Sequence, residues 1–365
     1  MLSNHFQHLL ERLREEKLDA ILLGPSPDLE YLAGLSLFED ERFKGLAVLA
    51  DGRMFSIVPK LYREQMEAVL GPDCPRCLWD DAEGFLEKVT ATWKDFGLQG
   101  KVVAVNDGIR AVDLLDLEAS VPGTRFVNGH HVVEAMRLVK SPAEMDLLRK
   151  AARIADEAFA ALVPFVRPGI REGAVAKQLE ELLFEKGADG LSFPTIVASG
   201  PNGSNPHYMG SGRVLQEGDP VVIDFGCTYK GYCSDTTRTV FVGRASEEDR
   251  AIYRVVLEAN LAGEAAVREG ASAQDVDRAA RGVIEKAGYG EYFINRTGHG
   301  IGVAVHEAPY IMEGNEQKLR KGMAFSVEPG IYIPGRLGIR IEDIVLVTEQ
   351  GGEPLSAFTK ELTIA

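Results

Sequence analysis

The sequence predicts two domains, an α/β unit over residues 1–135 and an α+β unit over residues 136–365. Three observations carry that expectation. The chain has 365 residues, more than one compact core usually serves. In the first unit, short apolar runs alternate with segments of helical periodicity. In the second, long capped helices alternate with clusters of strands.

The elements follow in chain order. "SNHFQHLLERLREEKL" sets Phe6, Leu9, Leu10 and Leu13 at helical spacing. "DAILLG" is a short buried strand. Ser26, Pro27 and Gly34 mark the cap, first turn and end of a second helix. "GLAVLADGRMFSIVP" is a hairpin turning on two residues, Asp51 and Gly52. "KVVAVND" is a further strand. No G-x-G-x-x-G follows the first strand, so no dinucleotide site is expected there. The second unit opens with a capping box, Ser141 to Glu144 around Pro142, and Met145, Leu148, Ala152 and Phe159 share one helical face. "REGAVAKQLEELLFEKG" is a second helix. Two more start at the boxes Ser246–Asp249 and Ser272–Asp275, the last stopping at Gly288. The strands are "TIVAS", "PVVIDFG", "YCSDTTRTVFVG", "MAFSVEPGIYI" and "IRIEDIVLVTE".

Composition narrows the partners. Apolar residues make up 45% and charged residues 26%, the balance of a globular protein. With 40 basic and 55 acidic residues the net charge is −15, which disfavours nucleic acid and anionic membrane. The N-terminus is amphipathic without the apolar core of a signal peptide, and no run is long enough to span a bilayer. Only four cysteines occur, Cys74, Cys77, Cys227 and Cys233, which suits a reduced, cytoplasmic setting. The lone "CPRC" has the spacing of a redox pair without its surrounding motif, so a chance pair in a loop is the expected reading. His5, His8, His130 and His131 have no motif around them and are expected at the surface.

Four acids stand inside apolar, strand-like runs: Asp224, Asp235, Glu328 and Glu342. A carboxylate taken out of water without a partner costs several kcal/mol. Either arginines answer them, with Arg238 and Arg340 as candidates, or they share metal ions. Carboxylates with one imidazole, His299, suit Mn²⁺, Co²⁺ or Zn²⁺. Asp224 and Asp235 lie eleven residues apart across glycines, and Glu328 and Glu342 fourteen apart across a turn region, so each pair fits a hairpin. "TGHGIGVAVHEAP" adds His299, His306 and three glycines; Gly298, Gly300 and Gly302 are expected to let the backbone approach the site.

In these residues the chain resembles the pita-bread-fold metallopeptidases, most closely their proline-specific branch of Xaa-Pro dipeptidases and aminopeptidases. The resemblance rests on Asp224, Asp235, His299, Glu328 and Glu342 in order, on "HGIGVAVHE", on "SGPNGSNPH" around His207, and on "GIRIED" around Arg340. It is strong over residues 140–365, and the first unit resembles the creatinase-like domain of the same branch. It implies two divalent ions, manganese first, cobalt or zinc otherwise, held by those five residues. It implies hydrolysis by an activated water, with Glu328 taking and returning the proton and His207 and His306 facing the substrate carbonyl. Arg340 is implied as a substrate-facing arginine, and Phe193 is a candidate for packing a proline ring. The substrates expected are small peptides with proline second, dipeptides first, with an aminopeptidase acting on longer peptides as the alternative. A non-catalytic binding protein and a methionine-removing enzyme rank behind both. A homodimer is implied too, and Arg42 or Lys44 in "LSLFEDERFKG" is a candidate to close the pocket from the partner.

Overall fold

The computed structural model describes residues 4–365. The chain divides into two units after Arg137.

The first unit is α/β. Its six-stranded mixed sheet runs in the order Arg76–Trp79, Met54–Pro59, Gly45–Leu49, Ala20–Leu23, Val102–Val105, Arg125–Asn128. Alternation along the central strands divides the core. Ile21 and Leu23 face Leu9, Leu13 and Val48, while Ala20 and Leu22 face Phe55, Trp93 and Val103. Both faces are therefore covered, as a central strand with no polar positions requires. The second helix matches its sequence signals: Ser26 accepts from the Leu29 N–H, and Gly34 ends it at φ 67°.

The hairpin differs from expectation. The Leu49 N–H donates to the Arg53 carbonyl, so the loop is Ala50–Gly52, three residues and not two. Gly52 at φ 93° takes the left-handed position that such a loop needs. His5 is also not a plain surface residue: its ring stacks on Tyr31 at 4.3 Å. His130 is half-buried beside Asp107 and Glu134, whereas His8 and His131 are exposed. Cys74 and Cys77 are unpaired and buried, and burial pushes both thiols up, away from the reactive thiolate.

The second unit is α+β. Helices Pro142–Leu162, Glu172–Glu185, Glu247–Ala266 and Ala273–Lys286 lie with a four-stranded sheet, a five-stranded sheet and two smaller ones. The boxes at Ser141 and Ser272 are complete. At Ser246 only half forms: its hydroxyl accepts from the Asp249 N–H, but the Asp249 carboxylate is taken by that hydroxyl and by Arg336. Three runs that read as single strands are each broken in two. Asp235 falls between Tyr232–Cys233 and Thr236–Phe241, Glu328 between Ala324–Val327 and Gly330–Ile333, and Glu342 between Leu337–Arg340 and Asp343–Thr348. Of the four acids only Asp224 lies within a strand, Pro220–Phe225.

Candidate active site

The breaks assemble the site. Strands Pro220–Phe225 and Thr236–Phe241 pair antiparallel with Asp224 opposite Thr237, and Asp235 stands at the entry to the second. Val327 lies opposite Asp343 in one sheet, and Gly330 lies opposite Arg340 in the next. Both chains of that hairpin thus change sheets at one level, and Glu328 and Glu342 occupy the gap. A bridge between Thr237 and Glu342 joins the two hairpins, reinforced by the Thr237 hydroxyl donating to Glu342 Oε2 at 2.5 Å. The Glu328 N–H donates to the Thr297 carbonyl at 2.8 Å, which fastens the segment carrying His299.

The glycines of "TGHGIG" serve this packing in a way the sequence did not suggest. A Cβ on Gly298 would fall 1.8 Å from the Ser326 carbonyl oxygen, and one on Gly300 2.0 Å from that of Ala308. One on Gly302 would meet the Glu307 carboxylate at 2.7 Å. The close approach is to neighbouring chain, not to the ligand space.

The centre holds far more negative than positive charge. One ligand atom each from Asp235, His299 and Glu342 lies within 4.8 Å of the others. His299 Nε2 is 3.3 Å from Glu328 and 3.5 Å from Asp235. Its Nδ1 lies 3.1 Å from the Gly300 carbonyl and donates to it in the neutral ring. Nε2 then turns a lone pair toward carboxylate oxygens. Burial pushes the His299 ring down to about 4, so at neutral pH the ring adds no positive charge to the centre. Burial also raises Glu328 to about 7, with Asp224 adding to the rise and Arg340 opposing it. Asp235 and Glu342 are driven up by burial and by the neighbouring acids. Arg340 is the cation at the centre. It binds Asp224 Oδ2 at 2.6 Å, the Thr237 hydroxyl at 3.0 Å and the Tyr332 hydroxyl at 3.1 Å. The other oxygen of Asp224 is buried with no hydrogen-bond partner among the described residues. Arg238, the other candidate cation, is spent on Asp343.

A cavity of about 260 Å³ opens over this cluster and is also lined by Phe193, His207, His306 and Arg340. The His306 ring stands edge-on to His299 at 4.2 Å. Burial of its inner side, then the neighbouring His299, Arg296 and His207, hold it below the usual histidine range; its outer side is open to solvent. His207 is exposed at the cavity wall, in a turn brought against Gly338, whose Cβ would fall 1.8 Å from the Gly203 carbonyl oxygen. Arg42 and Lys44 belong to the first unit. There Arg42 binds both oxygens of Asp81 and also Glu41, and Lys44 is buried against Asp40. A second acidic group, Asp28, Asp107 and His130, lies in the first unit and already holds Arg137, 3.1 Å from Asp28. Cavity residues that sequence reasoning passed over are Asn295, Arg296, Met209 and Ile196. The only signal for Arg296 was a lone cation directly ahead of "TGHG".

Residues 146–349 match metallopeptidase family M24, and residues 6–139 match the creatinase/prolidase N-terminal domain. A Xaa-Pro dipeptidase of Lactobacillus delbrueckii subsp. lactis is 36% identical over 365 residues, 96% of each chain. The crystal structure of a prolidase from Thermococcus sibiricus superposes with a TM-score of 0.96 at 36% identity, covering 100% of this chain and 99% of that one. That of a dipeptidase from Pyrococcus horikoshii gives 0.92 at 38% identity, covering 99% and 100%. Among the described residues no helix is long and apolar enough to cross a membrane.

Proposed function

Because this chain belongs to metallopeptidase family M24, with a creatinase/prolidase N-terminal domain, we propose that it is a metal-dependent hydrolase of the Xaa-Pro bond, acting on dipeptides. The observation that carries the reading is the gathering of Asp224, Asp235, His299, Glu328 and Glu342 at one cavity where, among the described residues, one guanidinium, that of Arg340, pairs with them. A buried lone pair on His299 facing carboxylates, and an unpartnered oxygen on Asp224, fit cations bound between them. We assign those five residues as the ligands of two divalent ions. Four carboxylates to one imidazole favour manganese, with cobalt or zinc as substitutes.

When bound, such ions supply activation of water and polarisation of the scissile carbonyl. The residues of the chain do the rest. Glu328, bonded to the Ser326 hydroxyl at 3.0 Å, accepts the proton of the attacking water and returns it to the leaving nitrogen. That nitrogen belongs to proline and has no N–H, so recognition falls on the ring and the carbonyl. Phe193 packs the ring. His207 and His306 donate to the carbonyl oxygen as its charge develops. Arg340 holds Asp224 in place and borders the substrate.

We place the activity in the cytoplasm, as four unpaired cysteines suggest. We take the working unit as a homodimer, in which Arg42 of a second copy walls the pocket. Metal analysis of gently purified protein, with hydrolysis of Ala-Pro and Ala-Pro-Ala under added Mn²⁺, tests the reading. About two equivalents of metal and preference for Ala-Pro are expected. Preference for the tripeptide makes it an aminopeptidase, and a metal-free, inactive protein rejects the enzyme reading.

A further inference from the structure

The proposed reaction leaves one buried acid of the second unit without a task. Glu172 is fully buried at the first residue of helix Glu172–Glu185 and does not line the cavity. Among the described residues no cation pairs with its carboxylate. Arg213 reaches it only through the Ser199 hydroxyl, which accepts from Arg213 at 2.6 Å and donates to Glu172 at 2.7 Å. An apolar side chain of similar size would fill the place without the loss of hydration that a buried charge suffers. What the carboxylate bonds is therefore the clue to its use.

Its bonds run to the segment that carries His207. The backbone N–H of Ser199, the last residue of strand Ile196–Ser199, donates to Oε1 at 2.7 Å, beside the hydroxyl of the same residue. The Asn202 side-chain nitrogen lies 3.0 and 3.2 Å from the two carboxylate oxygens and 2.8 Å from the Tyr208 hydroxyl, so its two N–H groups serve both residues. The loop 202–208 is thereby closed at its base. Within it, the Asn205 N–H donates to the Asn202 carbonyl at 3.1 Å, and the His207 N–H donates to the Asn205 side-chain oxygen at 3.2 Å. The Tyr208 ring packs on Ile196, Ala198 and Val222. His207 stands beside this anchor, exposed, and among the described residues its ring forms no hydrogen bond. Its place at the cavity wall is set by the backbone of the loop, and the loop is fastened to Glu172.

We propose that Glu172 is a positioning residue for the hydrolysis: through Asn202 and Tyr208 it fixes the loop that holds His207 toward the substrate carbonyl. The inference rests on the Xaa-Pro reading above and on the role given there to His207. It extends the machinery from the cavity wall to a buried side chain that never touches substrate.

The test uses the metal-loaded protein with Ala-Pro, as wild type, Glu172→Gln, His207→Ala and the double variant. Glu172→Gln keeps the volume but turns an NH₂ group toward donors on Ser199 and Asn202, so the base of the loop loses at least one bond. A transition-state donor moved out of line should lower kcat about ten- to a hundredfold, with KM little changed and metal content unchanged. In the His207→Ala background the same substitution should cost no further kcat, because the ring it places is gone. A residue that merely stabilised the fold would lower kcat by the same factor in both backgrounds. Tyr208→Phe removes only the hydroxyl at the loop base and should show a smaller loss of the same kind, so it decides the matter should Glu172→Gln fail to fold. Hydrogen exchange reads the hold without turnover: residues 200–209 should exchange faster in Glu172→Gln, and helix Glu247–Ala266 should not. Unaltered kcat, the same loss in both backgrounds, or unaltered exchange in 200–209 overturns the proposal. Wild-type protein that does not cleave Ala-Pro rejects the Xaa-Pro reading instead, and the exchange still decides whether Glu172 holds His207.

Discussion

Replacing Arg340 with methionine removes the cation that, among the described residues, pairs with the acidic centre. The side chain is 3% exposed, and its charge-assisted contact to Asp224 is 2.6 Å long. Breaking a buried pair from one side costs about 3–5 kcal/mol, because the charge left behind has no partner. The remaining acids make this worse: Asp224, Asp235, Glu328 and Glu342 would share one pocket with no positive group bonded to them. Bound divalent ions answer the same charge, so the loss should be clearly smaller in metal-loaded protein than in metal-stripped protein. Asp224→Asn added to Arg340→Met should recover part of the stripped-state loss. The assay must watch the correct half of the molecule. Both tryptophans, Trp79 and Trp93, lie in the first unit, so their fluorescence reports the wrong one. Hydrogen exchange in strands Thr236–Phe241 and Ala324–Val327 reports the second. An equal loss with and without metal, or strict additivity in the double variant, would refute the electrostatic argument.

Other outcomes follow from the same geometry. Asp235→Asn should abolish hydrolysis while circular dichroism shows an intact fold; near-normal turnover would remove Asp235 from the metal ligands. His306→Ala should lower kcat strongly and keep about the full metal content, since the ring borders the cavity beyond His299; loss of the ions would make it a ligand. Metal-stripped protein, measured against loaded protein, should be more stable at pH 6 than at pH 8. Glu328 is raised to about 7 in the folded state, and Asp235 and Glu342 are raised as well. The folded state therefore holds protons that the unfolded state has released, and stability falls as pH rises through that window. His299 and His306, both lowered to about 4, act oppositely below their ordinary value of 6.5. The three acids outnumber them, and each proton is worth about 1.4 kcal/mol per pH unit. A melting temperature difference that grows in the other direction would show that the acids are not crowded as described.

What the sequence discloses depends on whether the cause is local. An acid inside an apolar run is legible, because burial without a partner is costly wherever it occurs, and all four such acids converge. The capping signals at Ser26, Ser141 and Ser272 are local too, and each forms. The box at Ser246 fails partly for a reason from far along the chain, since Arg336 takes one oxygen of the Asp249 carboxylate while the Ser246 hydroxyl takes the other. The breaks at Asp235, Glu328 and Glu342 were hidden for the same kind of reason. Apolar, β-forming residues stand on both sides of each, and only the change of sheet partner interrupts the ladder. Arg296 was hidden because its place in the cavity wall is set by the fold, which no local pattern records.

The breaks explain why this fold tolerates such a centre. Within a continuous ladder, alternate side chains point to opposite faces, so neighbouring strands cannot turn several consecutive acids into one space. Where two paired strands leave one sheet and enter another at a single level, that constraint lapses. Glu328 and Glu342 sit at such a point, and the Thr237–Glu342 bridge brings Asp224 and Asp235 to it. Carboxylates gathered this way repel one another, and Arg340 answers only part of the charge. The same residues therefore weaken the stripped fold and create the demand for bound cations, so neutralising any one of the four acids should lower metal affinity and raise the stability of the stripped unit together.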